Sequence, residues 1–139
     1  YAIILYIFVC ISIKIMEYEI IKEEKFAAFK FSTEKLTAII APSVKADIIV
    51  LNEEGYSNFI LDLSNVQYCD SSGLSAILVA NRVAKENRGI LVVCGLQPSV
   101  DKLIKISQLD GILNIVPSYN EAMDYIFMEE LEKGLDDIF

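Results

Sequence analysis

"FILDLSNVQYCDSSGLSAIL", residues 59–78, joins two patterns that follow different periods. "NFILDL" (58–63) is a short apolar run of β-favouring residues and reads as a buried central strand. "SNVQYCD" then forms a polar link. From Ser71 onward Leu74, Ile77, Leu78 and Ala84 recur on one helical face, and Gly89 closes the run after the basic Lys85 and Arg88. The spacing predicts a helix over about 72–88, and a strand leading into a helix predicts an α/β unit.

The flanking chain repeats the alternation. "EYEII" and "KFAAFKF" on either side of "KEE" predict an opening hairpin. "STEKLTAII" carries no single pattern, after which Pro42, Val44, Ile48, Leu51 and Gly55 mark a first helix over about 42–54. Beyond the second helix come a strand "ILVVC" (90–94), a helix over 98–109 that opens on Pro98, a strand "ILNIV" (112–116) and a final helix over 120–131. The expected fold is a small α/β fold: a mixed β-sheet, mostly parallel with an N-terminal antiparallel hairpin, packed with about four helices.

With 139 residues, of which 54% are hydrophobic and 23% charged, the chain suits one domain with a substantial core. Its expected limits are 16–131, with an apolar extension over 1–15 and an acidic end over 132–139. The extension, "YAIILYIFVCISIKI", falls short of the roughly 20 apolar residues of a membrane helix and lacks the basic start and small-residue cleavage site of a secretory signal. Met16 is the expected natural start, with residues 1–15 an over-extended reading frame. From Tyr119 on, seven acids face one lysine, which reads as a solvated helix face and a frayed end.

Charge and composition exclude several functions. The net charge of −8 repels a phosphate backbone, so no nucleic acid partner is expected. Without a single His, a Ser-His-Asp triad is impossible and the commonest metal ligand is missing. Cys10, Cys69 and Cys94 show no metal-binding spacing, and scattered thiols suit a reducing, cytoplasmic setting. Neither direct membrane binding nor a cofactor is expected.

"DSSG" leaves several roles open. Asp70 or Ser71 suits the residue that caps a helix start. A nucleophilic serine needs a base, and the nearest lysine in sequence, Lys85, lies more than three turns along the helix. The run also lacks the glycine pattern and Lys-Ser/Thr of a phosphate loop. A phosphate on Ser71 would be favoured by the positive helix end and opposed by the adjacent Asp70. Ala76, Val79 and Val83 add an apolar strip that fits either a second packed element or a partner protein.

Taken together, these residues resemble the STAS family, the sulfate transporter and anti-sigma factor antagonist domains. The likeness rests on the strand with "DL", the short link and "DSSGL" opening a helix, and continues through "GILVVCGLQPSVDKLIKISQLDGILNIVPSYNEAMDYI". It covers about residues 17–130. The resemblance implies a regulatory domain that is not an enzyme. It makes Ser71 the phosphoacceptor, with Asp70, Ser72, Gly73 and Leu74 in the same docking surface, to which the strip Ala76, Val79 and Val83 is added. The implied partners are an anti-sigma factor with serine kinase activity, which would hold the ATP, and a serine phosphatase. In the antagonists the stretch before the first helix reads like Gly-Glu-Leu-Asp; here Glu34 and Leu36 are followed by Thr37 in place of the acid. The family also implies an alternative role, a STAS subunit or adaptor of a stress-signalling or lipid-transport assembly whose serine is never modified.

Overall fold

The structure, a computed structural model, describes residues 2–7 and 17–138. Residues 2–7 are helical, and Ile3, Ile4, Leu5, Tyr6 and Ile7 are exposed. The expected start at Met16 lies outside the described residues.

Seven strands and four helices follow: β1 (Tyr18–Lys22), β2 (Ala27–Phe31), β3 (Lys35–Leu36), α1 (Ala41–Glu53), β4 (Phe59–Asp62), β5 (Tyr68–Cys69), α2 (Ser71–Glu86), β6 (Leu91–Cys94), α3 (Pro98–Ile106), β7 (Asn114–Val116) and α4 (Tyr119–Ile138). Five strands form one sheet in the order β1-β2-β4-β6-β7. The β1–β2 hairpin is antiparallel and every other pair in that sheet is parallel, as the alternation of strands and helices predicts.

Alternating side chains divide the core between the two faces of the sheet. Phe59, Leu61, Leu91 and Val93 meet α1, α2 and α3 through Val44, Ile48, Ile77, Ala80, Val100 and Ile104. Ile60, Val92 and Cys94 point the other way and meet Ala122 and Ile126 of α4. One face is therefore covered by three helices and the other by α4.

Asn58 fixes the base of the sheet, where the parallel strands begin. Although its side chain is buried, all its polar groups are used: Nδ2 donates to the Lys25 carbonyl at 3.0 Å and to Glu130 Oε1 at 2.7 Å, while Oδ1 accepts from the Ile90 N–H at 3.1 Å. Its own carbonyl accepts from the Ala27 N–H at 3.0 Å. One side chain thus joins the approaches to β2, β4 and β6 with α4.

Three sequence expectations need revision. The polar link and "STEKLTAII" pair with each other as the two-residue strands β3 and β5, with Lys35 opposite Tyr68 and Leu36 opposite Cys69. Two residues are too few to show a period. The core face of α2 consists of Gly73, Ala76, Ile77, Ala80, Asn81 and Ala84, so Leu78 points outward instead of into the core. Small residues form that face because α1 packs closely against α2. Finally, the last helix does not fray at 131 but continues to Ile138.

Candidate functional site

Helix α2 starts above the C-terminal end of β4, on the small β3–β5 ribbon. Its cap is Asp70, whose backbone is extended (φ −99, ψ −174) and whose Oδ1 accepts from the Gly73 N–H at 2.9 Å. The other carboxylate oxygen, Oδ2, accepts from the Ala38 N–H at 3.3 Å, and the Asp70 N–H donates to the Leu36 carbonyl at 3.3 Å. Asp70 therefore ties the helix start to the loop before α1, and a cap of this kind contributes about 1 kcal/mol.

Gly73 is required by contact. A Cβ at this position would stand 2.4 Å from the Leu36 carbonyl oxygen and 2.6 Å from Cys69 Sγ. Only a bare backbone lets the helix descend this far onto β3 and β5.

These constraints leave Ser71 as the first helical residue, exposed and outside the cap. Of the two residues able to cap, Asp70 holds the role. The N–H groups of Ser71 and Ser72 stand at the positive end of the helix, where no intrahelical acceptor is within reach. Cys69, directly before the motif, is buried, and its thiol is pushed up to about 11 by burial and then by the charge of Asp70. It stays a protonated packing residue at neutral pH.

The residues singled out in the sequence separate into three groups. Ser71 is exposed and Ser72 and Leu74 are half-buried, so all three present atoms at the surface. Gly73 and Ala76 are buried, which corrects their placement on a partner surface: Gly73 lies on β3 and Ala76 belongs to the core. Val79 and Val83 are half-buried, and Val83 packs on the larger core cluster, so for Ala76 and Val83 the second packed element is inside the domain.

The sequence places neither of two further apolar residues on this surface: it assigns Leu78 to the core face of α2 and gives Ile39 no role. Leu78 lies seven positions after Ser71, two helical turns along the same face, and is 38% exposed. Ile39 is 89% exposed and follows Ala38, whose N–H is held by Asp70. The i, i+7 spacing from Ser71 was the available signal for Leu78. Ile39 carried none, because its place depends on the Asp70–Ala38 bond across 32 positions.

Among the described residues no group of three or more His, Cys, Asp and Glu side chains is arranged to hold a metal ion, and no helix is long and apolar enough to cross a membrane. A cleft lined by Tyr18, Ile20, Lys30, Phe31 and Asn65 lies at the β1–β2 edge and includes none of the residues around Ser71.

An α/β domain in which β4 leads through a short link into an Asp-capped, Ser-Ser-Gly-Leu helix has the architecture of a STAS domain. The STAS family model matches residues 18–122, and the chain belongs to that family. It is similar to BtrV of Bordetella bronchiseptica, 31% identical over 80 residues, 58% of this chain and 66% of that one. It is also similar to the anti-sigma F factor antagonist of Paenibacillus polymyxa, 33% identical over 67 residues, 48% of this chain and 55% of that one. The matched stretches thus span less than two thirds of each of these relatives. Among solved structures it resembles the Bacillus cell fate determinant SpoIIAA in its phosphorylated form, with a TM-score of 0.64, 16% identity and coverage of 78% of this chain and 98% of that one.

Proposed function

We propose that this chain is an anti-sigma factor antagonist in which phosphorylation of Ser71 controls binding to a partner protein. The observation that carries the reading is the division of labour at the helix start: Asp70 caps, and Ser71 keeps an exposed hydroxyl. Adding a phosphate at Ser71 leaves the Asp70 bonds to Gly73 and Ala38 intact, so the fold is retained. It also places a charge of about −1.5 to −2 in a surface that includes Leu74, Leu78 and Ile39. A partner that buries those apolar residues would have to desolvate the phosphate, which favours release.

The partner in this reading is an anti-sigma factor with serine kinase activity, and a serine phosphatase resets the switch. The name of the Paenibacillus relative supports an anti-sigma factor as the partner, and that of the phosphorylated Bacillus structure supports phosphorylation on this fold. The chain itself performs no catalysis in this reading, and its setting is the cytoplasm.

Intact-mass measurement on protein from its native cell, beside Ser71→Ala, tests the proposal. One added phosphate on the parent and none on the variant is the expected result. Unmodified Ser71 under every growth condition overturns it. The exposed Ile39 and Leu78 also favour a second reading, a constitutive subunit of a larger assembly. In that case Ser71→Asp captures the same partner as the parent in a pull-down, whereas the switch predicts its loss.

A further inference from the structure

The two halves of α4 face opposite ways. In the first half Ala122 and Ile126 are buried against β4 and β6, and the ring of Phe127 meets that of Phe26 edge-on at 6.4 Å. Beyond Ile126 the same face continues at i+4, i+7 and i+11, and there it is polar: Glu130, Lys133 and Asp137. Each points to the domain or to its neighbour on that face. Glu130 accepts from Asn58, Lys133 Nζ lies 3.4 Å from Glu130 Oε1, and Asp137 lies 3.7 Å from the Arg88 guanidinium.

With Glu130 and Lys133 on the inner side, the last part of the helix turns its apolar residues out. Met128, Leu131, Leu135 and Ile138 are 58%, 64%, 55% and 75% exposed. They recur at i, i+3, i+7 and i+10, the spacing of a seam that packs against another helix. A helix end facing water ordinarily has the reverse pattern.

Charge identifies the occupant. The seam is bordered by Glu121, Asp124, Glu129 and Glu132, which line a cleft together with Tyr125 and Met128. Asp136 continues that border along the helix. A second copy of the chain would bring two acidic borders together, while a cationic helix would neutralise this one. We infer that the outer face of the C-terminal half of α4 docks a basic amphipathic helix of a partner protein. The apolar side of that helix covers Met128, Leu131, Leu135 and Ile138, and its lysines or arginines lie along the acidic border. Because α4 covers the opposite sheet face from α2, this site is separate from Ser71, and both can be occupied at once.

The test uses the full chain and a fluorescent helical peptide of leucine and lysine, read by anisotropy. Controls carry serine in place of leucine, or glutamate in place of lysine. The chain is expected to bind the leucine/lysine peptide and neither control. The double variant Leu131→Ser/Leu135→Ser weakens binding by roughly tenfold or more, as loss of apolar burial on this scale requires. Glu132→Lys/Asp136→Lys weakens it further and flattens its salt dependence. Thermal unfolding of both variants matches the parent, since the altered side chains are exposed, and Ser71→Asp binds the peptide as the parent does. Equal binding by all variants, or no binding to the peptide, overturns the inference. So does sedimentation showing a dimer that Leu131→Ser/Leu135→Ser returns to monomer, because the seam would then be covered by a second copy.

Discussion

Helices α2 and α4 are anchored in different ways. At the start of α2 a Cβ on Gly73 would stand 2.4 Å from the Leu36 carbonyl oxygen, and just past its end one on Gly89 would stand 1.8 Å from that of Ser57. A Cβ on Gly134 in α4 would meet no atom within 4 Å. Helix α2 is wedged between two backbones, whereas the far half of α4 is held by a few polar contacts along one side. Position therefore matters differently in each: the wedge fixes where the Ser71 hydroxyl stands, and the tether fixes only which side of α4 faces outward.

The contrast is broken most severely by adding one methyl group. Gly89→Ala should destabilise the domain by about 3 kcal/mol or more in urea unfolding, because backbone must move to admit the Cβ. Gly134→Ala should instead stabilise it by about 0.5–1 kcal/mol through helix propensity. Equal effects at the two sites would show that α2 is not wedged.

Cutting the tether has a smaller effect. Asn58→Ala leaves the Lys25 carbonyl and the Ile90 N–H without their side-chain partners and should cost about 2 kcal/mol. It also alters the pH dependence. The hydrogen bond from Asn58, aided by Lys133, holds the Glu130 carboxyl below its ordinary value of 4.5. A carboxyl more acidic in the folded state stabilises it fully above the unfolded-state value, and that contribution is lost as pH falls through the folded one. Stability of the parent measured from pH 6 down to about pH 3 should therefore fall more steeply than that of Asn58→Ala.

The smallest effects separate neighbours in the sequence. Asp70→Ala should cost about 1 kcal/mol by denaturant unfolding through loss of the cap. Ser71→Ala should stay within about 0.5 kcal/mol of the parent, because its hydroxyl is exposed and outside the cap. A loss at Ser71 as large as that at Asp70 would return the capping role to the serine.

Most of the strand and helix order could be read from "NFILDL", "ILVVC" and the spacing of Val44, Ile48 and Leu51, since long periodic segments declare their type. Pairings that depend on distant chain could not. Leu36 and Cys69 meet over a separation that no local pattern encodes. Asp70 and Ser71 are both good capping residues, and the choice between them was made by the Ala38 N–H, which gives Asp70 a second bond. The buried face of α2 was misjudged for a related reason: hydrophobicity favoured Leu78, but close packing against α1 favoured the smaller Ala76 and Ala80.

Asn58 also has a consequence for where the domain tolerates substitution. By joining the approaches to three strands and α4 at the base of the sheet, it concentrates there the changes that cost the fold most. At the opposite rim the side chains of Ile39, Ser71 and Leu78 are exposed, and replacing them leaves these anchoring bonds in place. Recognition at that rim is therefore separable from the integrity of the scaffold.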